Sequence, residues 1–183
     1  MLQGQGRVVD NYLYIFVGTF VGGGLVLAGH IVAGVRGNAA AIGSMPVGLA
    51  GAGVTPPQLL QLASGWQLEQ ALEAAGLDPL LVHRAEVLNP AYSTFTTPWL
   101  AQAGQALAMT VTSAAALVDL DAVVIDGSLG SPLIEALITT TREQLLLYNM
   151  DGLQSPAVMA GQVGAHARAL GGSLLPLYSQ FFP

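Results

Sequence analysis

Residues 12–35 read YLYIFVGTFVGGGLVLAGHIVAGV, a stretch with no Asp, Glu, Lys or Arg. It is long enough to cross a bilayer, which takes about 20 apolar residues, so a small membrane protein is one reading. The local chemistry favours another. Gly22, Gly23 and Gly24 fall in its middle, and each glycine costs about 1 kcal/mol inside a helix. The flanking runs YLYIFV and LVLAGHIV are of strand length and rich in β-branched and aromatic residues. A buried β-hairpin with a Gly-rich turn is therefore expected, with strands at about 11–19 and 23–32.

Residues 1–10 are polar and Gly-rich and are expected to be a ragged start. After the hairpin, Gly34-Val35-Arg36-Gly37-Asn38 reads as a turn, residues 42–47 as a short third strand, and residues 48–57 as a Gly/Pro loop. Helices follow. One short candidate covers 57–63. A second, 66–75, would be capped by Ser64 and ended by Gly76. Asp78-Pro79 starts another helical turn. Thr97-Pro98 opens a long, nearly uncharged helix to about Leu120, expected to be central and buried. The continuous apolar run Ala122-Val123-Val124-Ile125 suits a strand covered on both faces. Ser131 with Pro132 starts a helix to about Tyr148. A last strand at 156–161 and a helix at 165–180 complete one α/β domain over residues 1–183.

Composition narrows the function. The chain has 183 residues and a net charge of −6, with 52% hydrophobic and 9% charged residues. Soluble domains carry about 25% charged residues, so apolar surface is expected to meet a missing lobe or a second subunit, most simply a homodimer. All five cations are arginines. Without lysine a Walker-A phosphate loop is excluded, and five scattered arginines make no nucleic-acid patch. With no cysteine, disulfides and thiolate metal sites are excluded. No secretory signal is evident, and a cytoplasmic location is expected. His30, His83 and His166 are isolated. His83, Arg84 and Glu86 read as a helix-surface cluster, and Asp119 and Asp121 as solvated loop acids.

Four segments together resemble the ROK family of repressors and sugar kinases: 15–30, 34–47, 122–129 and 169–178. Their order and spacing match the second half of such proteins. The resemblance implies the C-terminal lobe of an actin-like ATPase, a ribonuclease-H-like α/β fold in which a hairpin plus third strand is followed by helices alternating with strands. In ROK kinases the hairpin lies against nucleotide phosphates. The implied nucleotide-binding residues are Gly18, Thr19, Gly22 and Gly23, with Gly127 and Ser128 near the base. Phe20 stands where the family has glycine. Asn38 and Ser44 are the implied sugar-binding residues.

Departures from the family decide the functional expectation. Its Gly-Glu-Ile-Gly-His ending is here Ala40-Ala41-Ile42-Gly43-Ser44, so Ala41 replaces the sugar-binding Glu and Ser44 the His. The loop 48–57 holds no Cys or His where the family has its zinc cluster, and zinc needs about four N or S ligands. The family's catalytic Asp, its first phosphate loop and any helix-turn-helix precede the hairpin. Asp10 lies too close to the strand to be that base. The expectation is a catalytically inactive, ligand-sensing and dimerising module of a ROK-type transcriptional regulator, with a sugar or sugar-like ligand, no zinc, and no nucleic acid held by this chain itself. The alternative is a fragment of a divergent ATP-dependent sugar kinase.

Overall fold

The computed structural model describes residues 2–4, 7–51 and 53–162. The expected helix at 165–180, the fourth family-like segment, His166 and Arg168 lie outside these residues.

Two short strands lie among the described residues of the segment 1–10. Strands β1 (Leu2–Gly4) and β2 (Arg7–Val9) pair antiparallel, with Leu2 opposite Val9. The main sheet holds β3 (Tyr12–Val17), β4 (Val21–Leu27), β5 (His30–Ile31), β6 (Ala122–Gly127) and β7 (Ala157–Ala160), in the order β5-β4-β3-β6-β7. The first three form an antiparallel meander, whereas β3, β6 and β7 run parallel. The stretch read first is thus the meander. Among the described residues no helix is long and apolar enough to cross a membrane, and the membrane-helix reading falls.

Burial alternates along β3: Leu13, Ile15 and Val17 are buried, while Tyr12, Tyr14 and Phe16 are half-buried on the opposite face. β6 is buried at every residue, as a central parallel strand should be. The helices are α1 (Leu59–Ala63), α2 (Gly65–Ala74), α3 (Ser93–Leu117) and α4 (Ser131–Leu145). Their buried side chains, among them Leu59, Leu72, Leu107 and Leu137, share one core with Leu13, Ile15, Val17, Val123 and Ile125. Asp121 clips the starts of β3 and β6 together: its Oδ2 accepts from the Asn11 backbone N–H and side-chain Nδ2, both at 3.1 Å.

Several local expectations are corrected. The hairpin turn is Gly18 to Phe20, and Gly22, Gly23 and Gly24 lie inside β4. Gly23 is needed there for a close approach, because a Cβ would sit 2.6 Å from Ile42 Cδ1. Residues 42–47 form no third strand. Ile42–Ser44 is a 3-10 turn packed on β4, and the third meander strand is β5. Pro98 does not open α3 but sits inside it, since the helix begins at Ser93; its ring leaves one helical hydrogen bond unmade. Ser64 precedes α2 without a side-chain cap, and Gly130, not Ser131, caps α4. At the β7 edge, Arg142 Nε donates to the Val158 carbonyl at 3.0 Å, closing a group that an edge strand would otherwise leave open.

Candidate functional site

Parallel strands β3, β6 and β7 finish along one edge of the sheet, where Val17 lies beside Gly127 and Ile125 beside Ala160. Open α/β sheets bind ligands outside the carboxyl ends of such strands. A cleft of about 580 Å3 lies at this edge, lined by His83, Asp126, Ser128, Ser131, Glu135 and Gln162, with Gly127, Gly130 and Gly161 among its walls. That volume suits a small-molecule site. The turn Gly127 to Gly130 forms its floor and leads into the first turn of α4. Ser131 and Glu135, four residues apart on that helix, share one face of it.

The floor is tied from three sides. Ser128 N–H donates to Val17 O at 3.2 Å and Gly130 N–H to Val82 O at 2.9 Å. Gly127 N–H donates to Asp126 Oδ1 at 2.7 Å. His83, at the end of the 3-10 turn Pro79–His83, brings Nδ1 to 2.8 Å from Ser128 O. A carbonyl oxygen only accepts, so Nδ1 carries the proton, and in the neutral ring Nε2 is an acceptor.

Asp126 is 4% exposed and takes a hydrogen bond from Tyr14 Oη at 2.9 Å. Burial first, then that bond and the Asp126 charge, push the Tyr14 phenol above its usual pKa of 10.0. A phenol held neutral more firmly in the fold than in the unfolded chain stabilises fully below about pH 10 and loses this contribution as pH climbs beyond it. Tyr14→Phe should therefore cost about 1.5–3 kcal/mol near neutral pH, the scale for a hydrogen bond to a charged group. Urea denaturation at pH 7 and pH 11 checks this: the penalty should shrink at the higher pH, and a penalty that grows there counts against the pairing.

The other residues proposed from sequence fall elsewhere. At the hairpin turn, Gly18 N–H donates to Phe20 O at 3.0 Å, while the carbonyls of Gly18 and Thr19 accept from Gly65 N–H at 2.8 Å and Trp66 N–H at 3.3 Å. The turn thus presents carbonyls to the start of α2. Phe20 is 67% exposed. Gly22 and Gly23 pair with Phe16 and Ile15 within the sheet. Asn38 and Ser44 are exposed, in the loop and 3-10 turn that follow β5. Ile42 of that turn packs at Gly23 of β4, one strand beyond β3 from the cleft. Gly127 and Ser128 alone of the eight line the cleft.

Two cleft residues were not found from sequence. His83 was assigned to a surface cluster with Arg84 and Glu86, but Arg84 pairs with Asp78 at 3.2 Å and His83 turns to the cleft. Glu135 could have been found as the residue one helical turn beyond Ser131. Among the described residues no three His, Cys, Asp or Glu are grouped to hold a metal.

The family model described as the ROK family matches residues 2–177. The uncharacterised protein y4fQ of Sinorhizobium fredii (strain NBRC 101917 / NGR234) is 28% identical over 182 residues, covering all of this chain and 44% of y4fQ. Among solved structures, the ROK hexokinase from Thermus thermophilus superposes with a TM-score of 0.62 at 26% identity, over 93% of this chain and 58% of the hexokinase. A ROK family transcriptional regulator, a homolog of the E. coli MLC protein, gives a TM-score of 0.60 at 17% identity, over 85% of this chain and 42% of the regulator. The chain spans less than half the length of y4fQ and somewhat more than half that of the hexokinase. It belongs to the ROK family, with the actin-like, ribonuclease-H-like α/β fold that its sheet order displays.

Proposed function

We propose that this ROK-family chain is the ligand-sensing and dimerising part of a cytoplasmic transcriptional regulator, without phosphoryl-transfer activity. The observation that carries the reading is the turn Ile42–Ser44. Where the family resemblance puts a sugar-binding Glu and a His, Ala41 and Ser44 stand exposed, and neither methyl nor hydroxyl can replace a carboxylate and an imidazole. Phosphoryl transfer works by positioning and charge stabilisation, and the chain has no lysine for phosphate. The loop after this turn supplies no thiol or imidazole, so zinc is absent from the reading.

Length supports a regulator. The whole chain fills 44% of y4fQ, whereas 93% of it fills 58% of the hexokinase. y4fQ is therefore much the longer protein, with room for a further domain such as a DNA-reading one. Dimerisation belongs to the same reading. Leu117, Leu146 and Leu147, just after or at the ends of α3 and α4, are 85%, 85% and 75% exposed, and apolar surface of this kind marks association.

The full-length gene product tests the proposal. It should bind its own upstream DNA in fluorescence anisotropy, with affinity falling steeply with salt. It should hold no stoichiometric zinc by elemental analysis, and release no ADP from ATP when glucose or N-acetylated sugars are added. Sugar-dependent ADP release would make it a kinase and end the regulator reading.

A further inference from the structure

We infer that the cleft at the ends of β6 and β7 takes an uncharged, hydroxyl-rich ligand and turns phosphate esters away. This rests on the reading above only in treating the chain as a ligand sensor. It departs from what a phosphate-handling fold would be expected to place here, and the departure follows from an inventory of donors and charges.

A phosphate is all acceptor, and its charge is best met by clustered N–H donors and cations. Three of the four N–H groups of the turn Gly127 to Gly130 are committed inward: Gly127 to Asp126, Ser128 to Val17, and Gly130 to Val82. At α4, whose N-terminus faces the cleft, Leu133 and Ile134 donate back to Gly130 O and Pro132 has no N–H to offer, so the first turn keeps the N–H of Ser131 alone for a ligand. The start of α2 is no better, since Gly65 and Trp66 already donate to the hairpin carbonyls. No arginine or lysine is among the described cleft residues. Arg84 is paired with Asp78, Arg142 holds Val158, Arg7 lies in β2, and Arg36 is exposed in the loop after β5.

The cleft instead carries the acceptors a hydroxyl wants. Glu135 contributes an exposed carboxylate. His83 is fixed by its Nδ1–H bond to Ser128 O, so in the neutral ring its Nε2 accepts. Ser128, Ser131 and Gln162 can act either way. The exposed Glu135 carboxylate in the cleft repels an incoming phosphate, which reaches about −2 charge near pH 7. A hexose and a nucleoside share the uncharged polyol chemistry that remains.

Titration calorimetry on the full-length protein, with glucose, glucose 6-phosphate, adenosine and ATP as probes, decides between them. The neutral member of at least one pair should bind at least tenfold more tightly than its phosphorylated partner. The pair that does so says whether the polyol is a sugar or a nucleoside. Glu135→Lys should then weaken the neutral ligand and narrow the gap by about tenfold, with an unchanged melting temperature because Glu135 is exposed. His83→Ala, a second variant on a different element, should weaken the neutral ligand without helping the phosphate. Equal or tighter binding of the phosphorylated member, binding untouched by either variant, or no binding of any probe overturns the inference. DNA binding is read separately, so failure of the regulator reading would show there and not here.

Discussion

Gly127→Val should leave little folded protein. Gly127 ends β6 opposite Val17, and a side chain there has nowhere to go. Its Cβ would press onto the Val17 carbonyl oxygen and stand 2.8 Å from Ile134 Cδ1. Val17 O is backbone at the end of the central strand β3 and already accepts from Ser128 N–H at 3.2 Å, so relieving the clash means parting the ends of β3 and β6. Overpacking a core commonly costs about 1–3 kcal/mol when side chains can adjust. Here a strand must move, so about 3 kcal/mol or more is expected, against a total stability of about 5–15 kcal/mol. Gly22→Ala is the control, because a Cβ at Gly22 meets nothing within 4 Å and alanine in a strand is the better residue by about 0.5–1 kcal/mol. Soluble yield and urea midpoints measure both. A Gly127→Val midpoint within error of the parent would mean that β3 and β6 are not joined as described.

The same glycines show what the sequence can tell and what it withholds. The alternation in YLYIFV and the run AVVI identify β3 and β6 because period and apolar length are local properties. Placing Gly22 to Gly24 in the turn fails because a glycine announces that something comes close without saying what. At Gly23 it is Ile42, nineteen residues on, and the turn is made by Gly18 to Phe20 instead. The serine caps fail for a related reason. Ser64 has the right type and the extended backbone of a cap, but the Thr19 carbonyl, distant in sequence, takes the N–H of Trp66, and Gln67 N–H goes to the Ser64 carbonyl, so neither group waits for the side chain.

The candidate site divides along the same line. Gly127 and Ser128 follow an unmistakable strand and were legible as its turn. His83 and Glu135 become cleft residues only through the sheet order, which sets β6 between β3 and β7 and brings the turn Pro79–His83 against Gly130. Asn38 and Ser44 were reached through the family resemblance, and the chain carries no local signal that would separate them from the rest of an exposed loop.

Leu137→Ala should cost about 3–5 kcal/mol, the upper part of the range for a buried leucine. The position in that range is set by how far the surroundings can collapse. Leu137 is fully buried on α4, one turn after the fully buried Leu133 and flanked by Ile138 at 3% exposure. Thr141, also buried, ties its hydroxyl back to Leu137 O at 2.8 Å, which holds the helix backbone in place over the gap. Nor can α3 slide inward. It already approaches α4 closely enough that a Cβ at Gly104 would lie 2.6 Å from Thr140 Cγ2. With both helices stopped by contacts, the cavity stays open and its lining loses its dispersion partners. A chain of this size loses about 2–4 °C of melting temperature per kcal/mol, so a fall of roughly 6–20 °C should be read by calorimetry. Leu49→Ala, in the loop after the turn Ile42–Ser44 and 91% exposed, should change stability by no more than about 0.5 kcal/mol. A Leu137→Ala loss below about 1 kcal/mol would mean that α4 can settle onto the sheet. The first two turns of α4, which carry Ser131 and Glu135 along the cleft, would then be a movable wall, and ligand affinity in the variant should shift with it.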